Sequence, residues 1–238
     1  MDLKNKVVLV TGSSSGIGAA TAKAFAAKGA KTIIHYNYHE SAARKIQAAT
    51  KSELCLHADL SVVDECRDLI QKTAEHFGRI DVLVNNAGVS TPANSHLTLE
   101  ERWEKMNAVN LRAPFLLSAY AREHMKKGCI VNVSSIRAYR PKNALSAYGT
   151  TKAGVSYMTK ALAHDFAPDV RVNAVAPGYA RTEMTEKFYG DKFSELERQT
   201  PIGRIIKPEE IADSILFLCQ NDAITGHVLV IDGGYLVG

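Results

Sequence analysis

Disulfide and metal architecture are what this sequence most plainly lacks. Its four cysteines, Cys55, Cys66, Cys129 and Cys219, form no CxxC pair, keep no ligand-like spacing and fall mostly inside apolar segments. That distribution excludes a disulfide-stapled scaffold and predicts reduced thiols in or near the core of a cytoplasmic protein. His96, His124 and His164 have no metal-site spacing either, so no metal is expected. No apolar run is long enough to span a bilayer. The opening MDLKNKVVLVTG enters a strand directly, without the basic start, apolar stretch and small-residue cleavage site of a secretory signal, so neither membrane insertion nor export is expected. An excess of one charge is missing too. The formal net charge is only +4, with lysine and arginine spread along the chain, which leaves no electrostatic footprint for a nucleic-acid partner. The basic run Arg122 to Lys127 needs only a helix C-terminus to explain it. No repeat, low-complexity stretch or linker divides the chain. Its 238 residues, 46% hydrophobic and 23% charged, suit one soluble domain over residues 1–238.

Short apolar runs alternate with longer helical patterns from end to end. Val7 to Val10, Thr32 to His35, Leu54 to Ala58, Val82 to Asn85, Ile130 to Ser134, Val170 to Val175 and Val228 to Ile231 are predicted strands. They are apolar on consecutive residues, as in parallel strands covered on both sides. Val63, Cys66, Ile70, Thr73 and Phe77 step by threes and fours, one face of an amphipathic helix. Gly29, Gly78 and Gly128 stand where helices should stop, the left-handed cap role of glycine. The βα order predicts an α/β, doubly wound parallel sheet with helices on both faces. Only Gly178 to Arg204 breaks the rhythm, between Pro177-Gly178 and Pro201; the segment 178–204 is expected to act as a substrate lid.

Two motifs carry chemistry. In VVLVTGSSSGIG a strand turns sharply into a helix: Gly12 permits the turn, Gly16 admits a pyrophosphate to the backbone, and Gly18 allows helix and strand to pack closely. In SAYGTTKAG, Tyr148 and Lys152 stand four apart, so on a helix they share a face. None of the other eight of the nine tyrosines has lysine at that spacing. A cation beside a phenol lowers its pKa, which suits a tyrosine that donates and accepts a proton in carbonyl-alcohol interconversion. Ser135 lies thirteen residues before Tyr148 at a strand end, with Ser134 as the runner-up. Arg137 and Arg140 follow it on a loop, either to meet an anionic substrate or as a solvated edge. Asn110 follows MNAV in a helical pattern, where asparagine is unfavourable unless its side chain has a role.

Over essentially its whole length the chain resembles the short-chain dehydrogenase/reductase family. Thr11 to Gly18 is similar to the family's nucleotide turn, Asp59-Leu60 to its adenine-pocket acid and Asn85-Asn86-Ala87-Gly88 to its NNAG motif. Asn110, Ser135, Tyr148 and Lys152 match its catalytic tetrad, and Pro177, Gly178 and Thr182 its PGxxxT segment. The resemblance implies a Rossmann-type fold and an NAD(P)-dependent enzyme that interconverts a carbonyl and a secondary alcohol. Cofactor contacts are then implied for Gly12, Ser14, Ser15, Gly16, Ile17, Gly18, Asn37, Tyr38, Asp59, Leu60, Asn86, Ala87, Gly88, Tyr148, Lys152, Pro177, Gly178 and Thr182. Tyr148 would be the proton donor, Ser135 would hold the substrate oxygen, Lys152 would hold the ribose and tune the phenol, and Asn110 would anchor a water leading to Lys152. The nearest subgroup is the 3-oxoacyl-carrier-protein reductase type, with sugar or polyol dehydrogenases as the alternative and a nucleotide-sensing regulator as the non-enzyme alternative. Its small-molecule substrate would be met by a homotetramer, because the helices near Arg102 and Tyr148 carry apolar residues on more than one face.

Cofactor choice turns on another absence. NAD-selective enzymes place a carboxylate at the end of the second strand. Here that position falls at Tyr36-Asn37, and no acid follows until Glu40. A 2'-phosphate is not repelled, and Ser14, Asn37, Tyr38 and His39 offer it neutral or partly charged donors. NADP is therefore expected to be preferred modestly, with NAD still used.

Overall fold

The structure is a computed structural model and describes residues 1–91, 95–182, 185–186 and 189–238. Seven parallel strands form one sheet in the order β3-β2-β1-β4-β5-β6-β7. They are β1 (Val7–Val10), β2 (Lys31–Tyr36), β3 (Leu54–His57), β4 (Val82–Asn85), β5 (Gly128–Val133), β6 (Val170–Pro177) and β7 (Val228–Ile231). The helices are α1 (Gly16–Ala27), α2 (Glu40–Thr50), α3 (Val63–Phe77), α4 (Leu99–Asn107), α5 (Ala113–Arg122), α6 (Ser146–Asp165), α7 (Phe193–Arg198) and α8 (Pro208–Gln220). A π-helical turn, Ala108–Arg112, joins α4 to α5.

Consecutive strand residues serve opposite faces of the sheet, because side chains alternate along a strand. Val8, Val10, Ile34, Val82 and Val84 pack with Phe25 of α1, Ala43 of α2 and Ile211 and Ile215 of α8. Val7, Leu9, Ile33, Leu83 and Ile130 pack on the other side with Leu69 of α3, Leu117 of α5 and Val155 of α6. Double burial explains the uninterrupted apolar runs in the sequence. A third cluster, Ile136, Tyr179, Phe193, Leu196, Ile205 and Tyr235, roofs the carboxyl end of the sheet near β5 and β6. Of the segment 178–204, Glu183, Met184, Lys187 and Phe188 lie outside the described residues.

The predicted strands are all found, β1, β4 and β7 with the predicted ends and the other four with ends shifted by one or two residues. β5 begins at Gly128 and stops at Val133, and β6 continues to Pro177. One cap assignment is corrected. Gly78 caps α3 at φ +72°, and Gly29 follows Lys28, the C-cap of α1, at φ +76°, but Gly128 is the first residue of β5 and has no left-handed backbone. Its constraint is space: a Cβ there would approach the Asp81 carbonyl oxygen and the Met125 sulfur to 3.0 Å each.

The chain winds outward from β1 to β3, then returns to β4 on the opposite side of β1. At such a reversal the connections leave the adjacent strand ends in opposite directions and open a crevice at their carboxyl ends. The glycine turn after β1 and the Asn86–Gly88 segment after β4 both lie there.

Candidate active site

The turn after β1 is tied from both sides. Gly12 takes φ +63° and Gly16 φ +55°, values that glycine adopts without a Cβ penalty. A Cβ on Gly18 would collide with the Gly12 carbonyl and the Asn86 amide, so α1 packs directly against its own turn. From the β4 side, Asn86 Nδ2 donates to the carbonyls of Thr11 (2.8 Å) and Gly12 (3.1 Å). The N–H groups of Asn86 and Ala87 each donate to Thr11 Oγ1 at 3.0 Å. Asn85 turns away and binds Ser118 Oγ and Asn132 Oδ1 instead.

A cavity of about 490 Å³ runs along this crevice. Asn37, Tyr38, Asp59 and Leu60 line one end, and Ser14, Ser15, Gly16, Ile17, Asn86, Ala87 and Gly88 the middle. Ser135, Tyr148, Lys152, Pro177, Gly178 and Thr182 line the other end. Ser15 at the N-cap of α1 makes no side-chain cap bond, which leaves the first-turn N–H groups without a capping side chain. Of the residues singled out in the sequence, Gly18 and Asn110 do not line the cavity. Asn110 is fully buried in the π-helical turn, where Oδ1 accepts from Val89 N (2.7 Å) and Nδ2 donates to Val89 O (2.8 Å) and Thr151 Oγ1 (3.3 Å). It fixes the chain beside Gly88, whose Cβ would lie 3.3 Å from Asn110 Oδ1 and 3.6 Å from Lys152 Nζ.

Geometry separates the two serines. Ser134 Oγ is committed to α6, 2.9 Å from Lys152 O and 2.8 Å from Ser156 Oγ. Ser135 Oγ accepts from Arg137 N at 3.1 Å, and Ser135 lies beside the Tyr148 phenol and pulls its pKa down. Tyr148 and Lys152 share a face of α6, with the ammonium 5.7 Å from the phenol ring centroid. Ser135 and Tyr148 also line a second, smaller chamber of about 100 Å³ with Arg137, Tyr179 and Tyr189. An elongated groove and a compact chamber therefore meet at a hydroxyl and a phenol. This suits an extended ligand that reacts with a small one.

A family model described as enoyl-(acyl carrier protein) reductase matches residues 12–236. A 3-oxoacyl-[acyl-carrier-protein] reductase of Thermotoga maritima is 37% identical over 246 residues, covering 100% of both chains. A cis-4-hydroxycyclohexanecarboxylate dehydrogenase of Sinomonas cyclohexanicum is also 37% identical, over 97% of this chain and 96% of the relative. Among solved structures, a short-chain dehydrogenase of Burkholderia cenocepacia in complex with NADP superposes with a TM-score of 0.92 at 32% identity, over 99% of this chain and 100% of that one. The chain belongs to the short-chain dehydrogenase/reductase family. It is an NAD(P)-dependent oxidoreductase with the family's Rossmann-type parallel sheet.

The residues present fit a dinucleotide. Gly12, Gly16 and Gly88 line the cavity without a Cβ, an uncapped helix start lies beside them, and Asp59 stands at one end with its carboxylate oriented. Burial pushes the Asp59 carboxyl up, but the hydrogen bonds from Ser61 N (2.9 Å), Ser61 Oγ (2.7 Å) and Asn37 outweigh it and hold the group below its ordinary value. Among the described residues no group of three or more His, Cys, Asp or Glu side chains is gathered to hold a metal ion, and no helix is long and apolar enough to cross a membrane.

One electrostatic expectation is corrected. Burial raises the Tyr148 phenol above its ordinary value, and the pulls from Ser135 and Arg137 do not offset it. Burial is the largest influence on the phenol. The Lys152 ammonium donates to Val133 O at 2.7 Å, and burial alone lowers it to about 8.

Lys105 and His35 line the same cavity and were not singled out in the sequence. His35 had one signal: a polar residue inside an otherwise apolar strand. Its Nδ1 accepts from Gly12 N at 2.9 Å, and because an amide N–H can only donate, Nε2 must carry the proton toward Ala58 O at 3.1 Å. His35 N also donates to Ser13 Oγ (2.9 Å), and Ser13 N donates back to His35 O (3.0 Å). Burial, opposed by the Ala58 bond and aided by His57, lowers the imidazole from 6.5 to about 4. Between those values the unfolded chain binds a proton that the folded one refuses, so stability rises with pH. The contribution is fully present above pH 6.5 and should shrink by roughly 3 kcal/mol as pH falls to 4. His35→Asn should flatten that slope in urea unfolding at pH 7.5 and 4.5; an unchanged slope would assign the acid sensitivity elsewhere.

Proposed function

We propose that the enzyme interconverts a carbonyl and a secondary alcohol with Tyr148 as its proton donor. The observation that carries this reading is that Ser135 and Tyr148 meet on the wall shared by the two cavities, with Lys152 one helical turn behind. A nicotinamide dinucleotide, when bound, supplies or removes the hydride at carbon. In reduction, Tyr148 gives its proton to the oxygen on which charge develops, and Ser135 donates a hydrogen bond to the same oxygen. In oxidation the phenolate takes the proton back. Lys152 holds the ribose hydroxyls, and Asn110 keeps the Val89 backbone and anchors a water that leads to Lys152. Gly12, Ser14, Ser15, Gly16, Ile17 and Gly18 would hold the cofactor's phosphates, Asn37, Tyr38, Asp59 and Leu60 its adenosine end, and Asn86, Ala87, Gly88, Pro177, Gly178 and Thr182 its nicotinamide side. Residues 1–238 act as one domain, with segment 178–204 as the cover of the substrate chamber.

A 3-oxoacyl thioester is the substrate of the Thermotoga maritima relative, by its name, and a hydroxy carboxylate that of the Sinomonas cyclohexanicum relative. Their equal identity to this chain does not choose between them, nor does it favour the sugar or polyol alternative. Turnover of any ketone would argue against a nucleotide-sensing regulator. Three buried unpaired thiols, Cys66, Cys129 and Cys219, support a reducing, cytoplasmic setting.

Tyr148→Phe should lower turnover by several orders of magnitude and leave dinucleotide affinity nearly intact, whereas Lys152→Ala should damage both. Because burial raises the phenol and keeps it protonated, wild-type reduction should be sustained at neutral pH, and oxidation should climb only in alkaline solution as phenolate forms. Near wild-type turnover in Tyr148→Phe would sink the assignment.

NADP(H) is proposed as the preferred cofactor, by a modest factor. Tyr36, Asn37, Tyr38 and His39 line the cavity at the end of β2, whereas Glu40 is absent from its lining and is held by Arg44 at 3.1 Å. Lys105 adds a cation to the same cavity, where it lowers the Asp59 carboxyl. The ratio of kcat/KM for the two cofactors checks this; a strong preference for NAD(H) would mean that an acid reaches the ribose.

Assembly as a homotetramer is proposed from the outer faces of α4, α5 and α6. Trp103, Phe115 and Tyr157 are 38%, 48% and 76% exposed. Met106, Val155, Met158 and Leu162 of the same helices are instead buried within the chain. Light scattering should give four chain masses at micromolar concentration, and a monomer mass would overturn the proposal.

A further inference from the structure

The chamber beyond Ser135 and Tyr148 holds a charge that the reaction does not use. Arg137 lies two residues past Ser135 in a short 3₁₀ turn, Ile136–Ala138, and is 8% exposed. Gly149, in the first turn of α6, lets this turn pack close, since a Cβ there would come within 2.9 Å of Arg137 O. The guanidinium donates to Tyr179 Oη at 2.7 Å through Nη2 and to Arg140 O at 3.1 Å through Nη1. Its central carbon lies 5.3 and 5.5 Å from the ring centroids of Tyr179 and Tyr235. Lys142 Nζ donates to the same Tyr179 oxygen at 2.9 Å and to Tyr189 Oη at 3.4 Å.

Two cations thus share one phenol oxygen, and among the described residues no carboxylate forms an ion pair with either. Burial and the neighbouring Arg137 both press the Lys142 ammonium below its ordinary value. Aromatic faces and hydroxyls offset only part of what it costs to bury such charge, and a protein that needed Arg137 only for packing would gain by pairing it. A guanidinium presents five N–H donors in a planar fork that matches a carboxylate, and two of them make the bonds just given. Arg137 lines the small chamber with Tyr148 and Ser135, so an anionic group held there lies in the same space as the reacting carbonyl. At about 100 Å³ the chamber is far smaller than the cavity beside it. It suits a compact acid better than a thioester with its long carrier arm.

We propose that Arg137 seats the carboxylate of a compact oxo acid or hydroxy acid, making that couple the substrate class. The inference rests on the carbonyl-alcohol reading with Tyr148 as donor. The reaction remains a two-electron reduction in which hydride reaches the carbonyl carbon and the Tyr148 proton its oxygen, while the carboxylate stays intact and serves only to orient the substrate.

The test uses the intact enzyme with reduced cofactor and a panel of short 3-oxo, 4-oxo and cyclic oxo acids. Each acid is paired with its methyl ester and, for the 3-oxo members, with a small thioester. Wild type should favour the best acid over its ester by about 100-fold in kcat/KM, mostly through KM. Arg137→Met should lower kcat/KM for the acid at least ten times more than for its ester, and Arg137→Lys should recover part of the difference. Esters or thioesters preferred by wild type would overturn the inference, as would an equal loss on acid and ester in Arg137→Met, which would mean a structural role. Should Arg137→Met fail to fold, the wild-type ratio and Arg137→Lys decide. Tyr148→Phe separates the two readings: if it spares turnover the carbonyl-alcohol reading falls, and if it abolishes turnover while acid and ester remain equal in wild type, only the Arg137 assignment falls. No turnover of any panel member overturns the Arg137 assignment.

Discussion

Everything at the site depends on how the backbone of Thr11, Gly12 and Ser13 is clamped between β2 and β4. His35 takes the Gly12 N–H from one side, and Asn86 takes the Thr11 and Gly12 carbonyls from the other. A left-handed glycine turn has little reason of its own to keep one shape. Here its polar groups are consumed by side chains anchored in neighbouring strands, so the start of α1 is set relative to the sheet before any ligand arrives. Preorganisation of this kind spares binding energy that ordering a loop would otherwise cost.

A second constraint is dryness. Lys152 and Arg137 are buried at the end of the cavity and Tyr148 is partly buried there, and burial favours the neutral forms of the lysine and the phenol. The phenol stays protonated and ready to donate, and the ammonium is held by a carbonyl rather than by an acid. In such surroundings a charge that appears on a substrate oxygen, or is carried in on a substrate carboxylate, is felt more strongly than it would be in water. The site is therefore cationic and short of anions among the described residues, an arrangement that an anionic ligand would complete.

What could be read in the sequence follows from how local each signal is. A four-residue separation on a helix already aligns Tyr148 with Lys152, and the consecutive apolar runs already required strands covered on both faces. Ser135 was separable from Ser134 by spacing, and the hydroxyl of Ser134 proves to be spent on α6. Gly128 was misread because a glycine before a strand resembles a cap, whereas its reason is the nearness of Asp81 and Met125. The expected lowering of the phenol is outweighed by burial, which spacing along a helix does not reveal.

By itself the sequence determined the α/β order, the doubly covered sheet, the nucleotide turn and the phenol-ammonium pair, because each is written in residues close along the chain. Only the tertiary structure decided that His35 braces the turn from a neighbouring strand, and that Arg137 is enclosed by Tyr179 and Tyr235 instead of lying on a solvated loop edge. Those partners are 23, 42 and 98 residues apart in the chain. Solvation and charge balance at such places depend on which distant side chains fold over them, and no local pattern carries that.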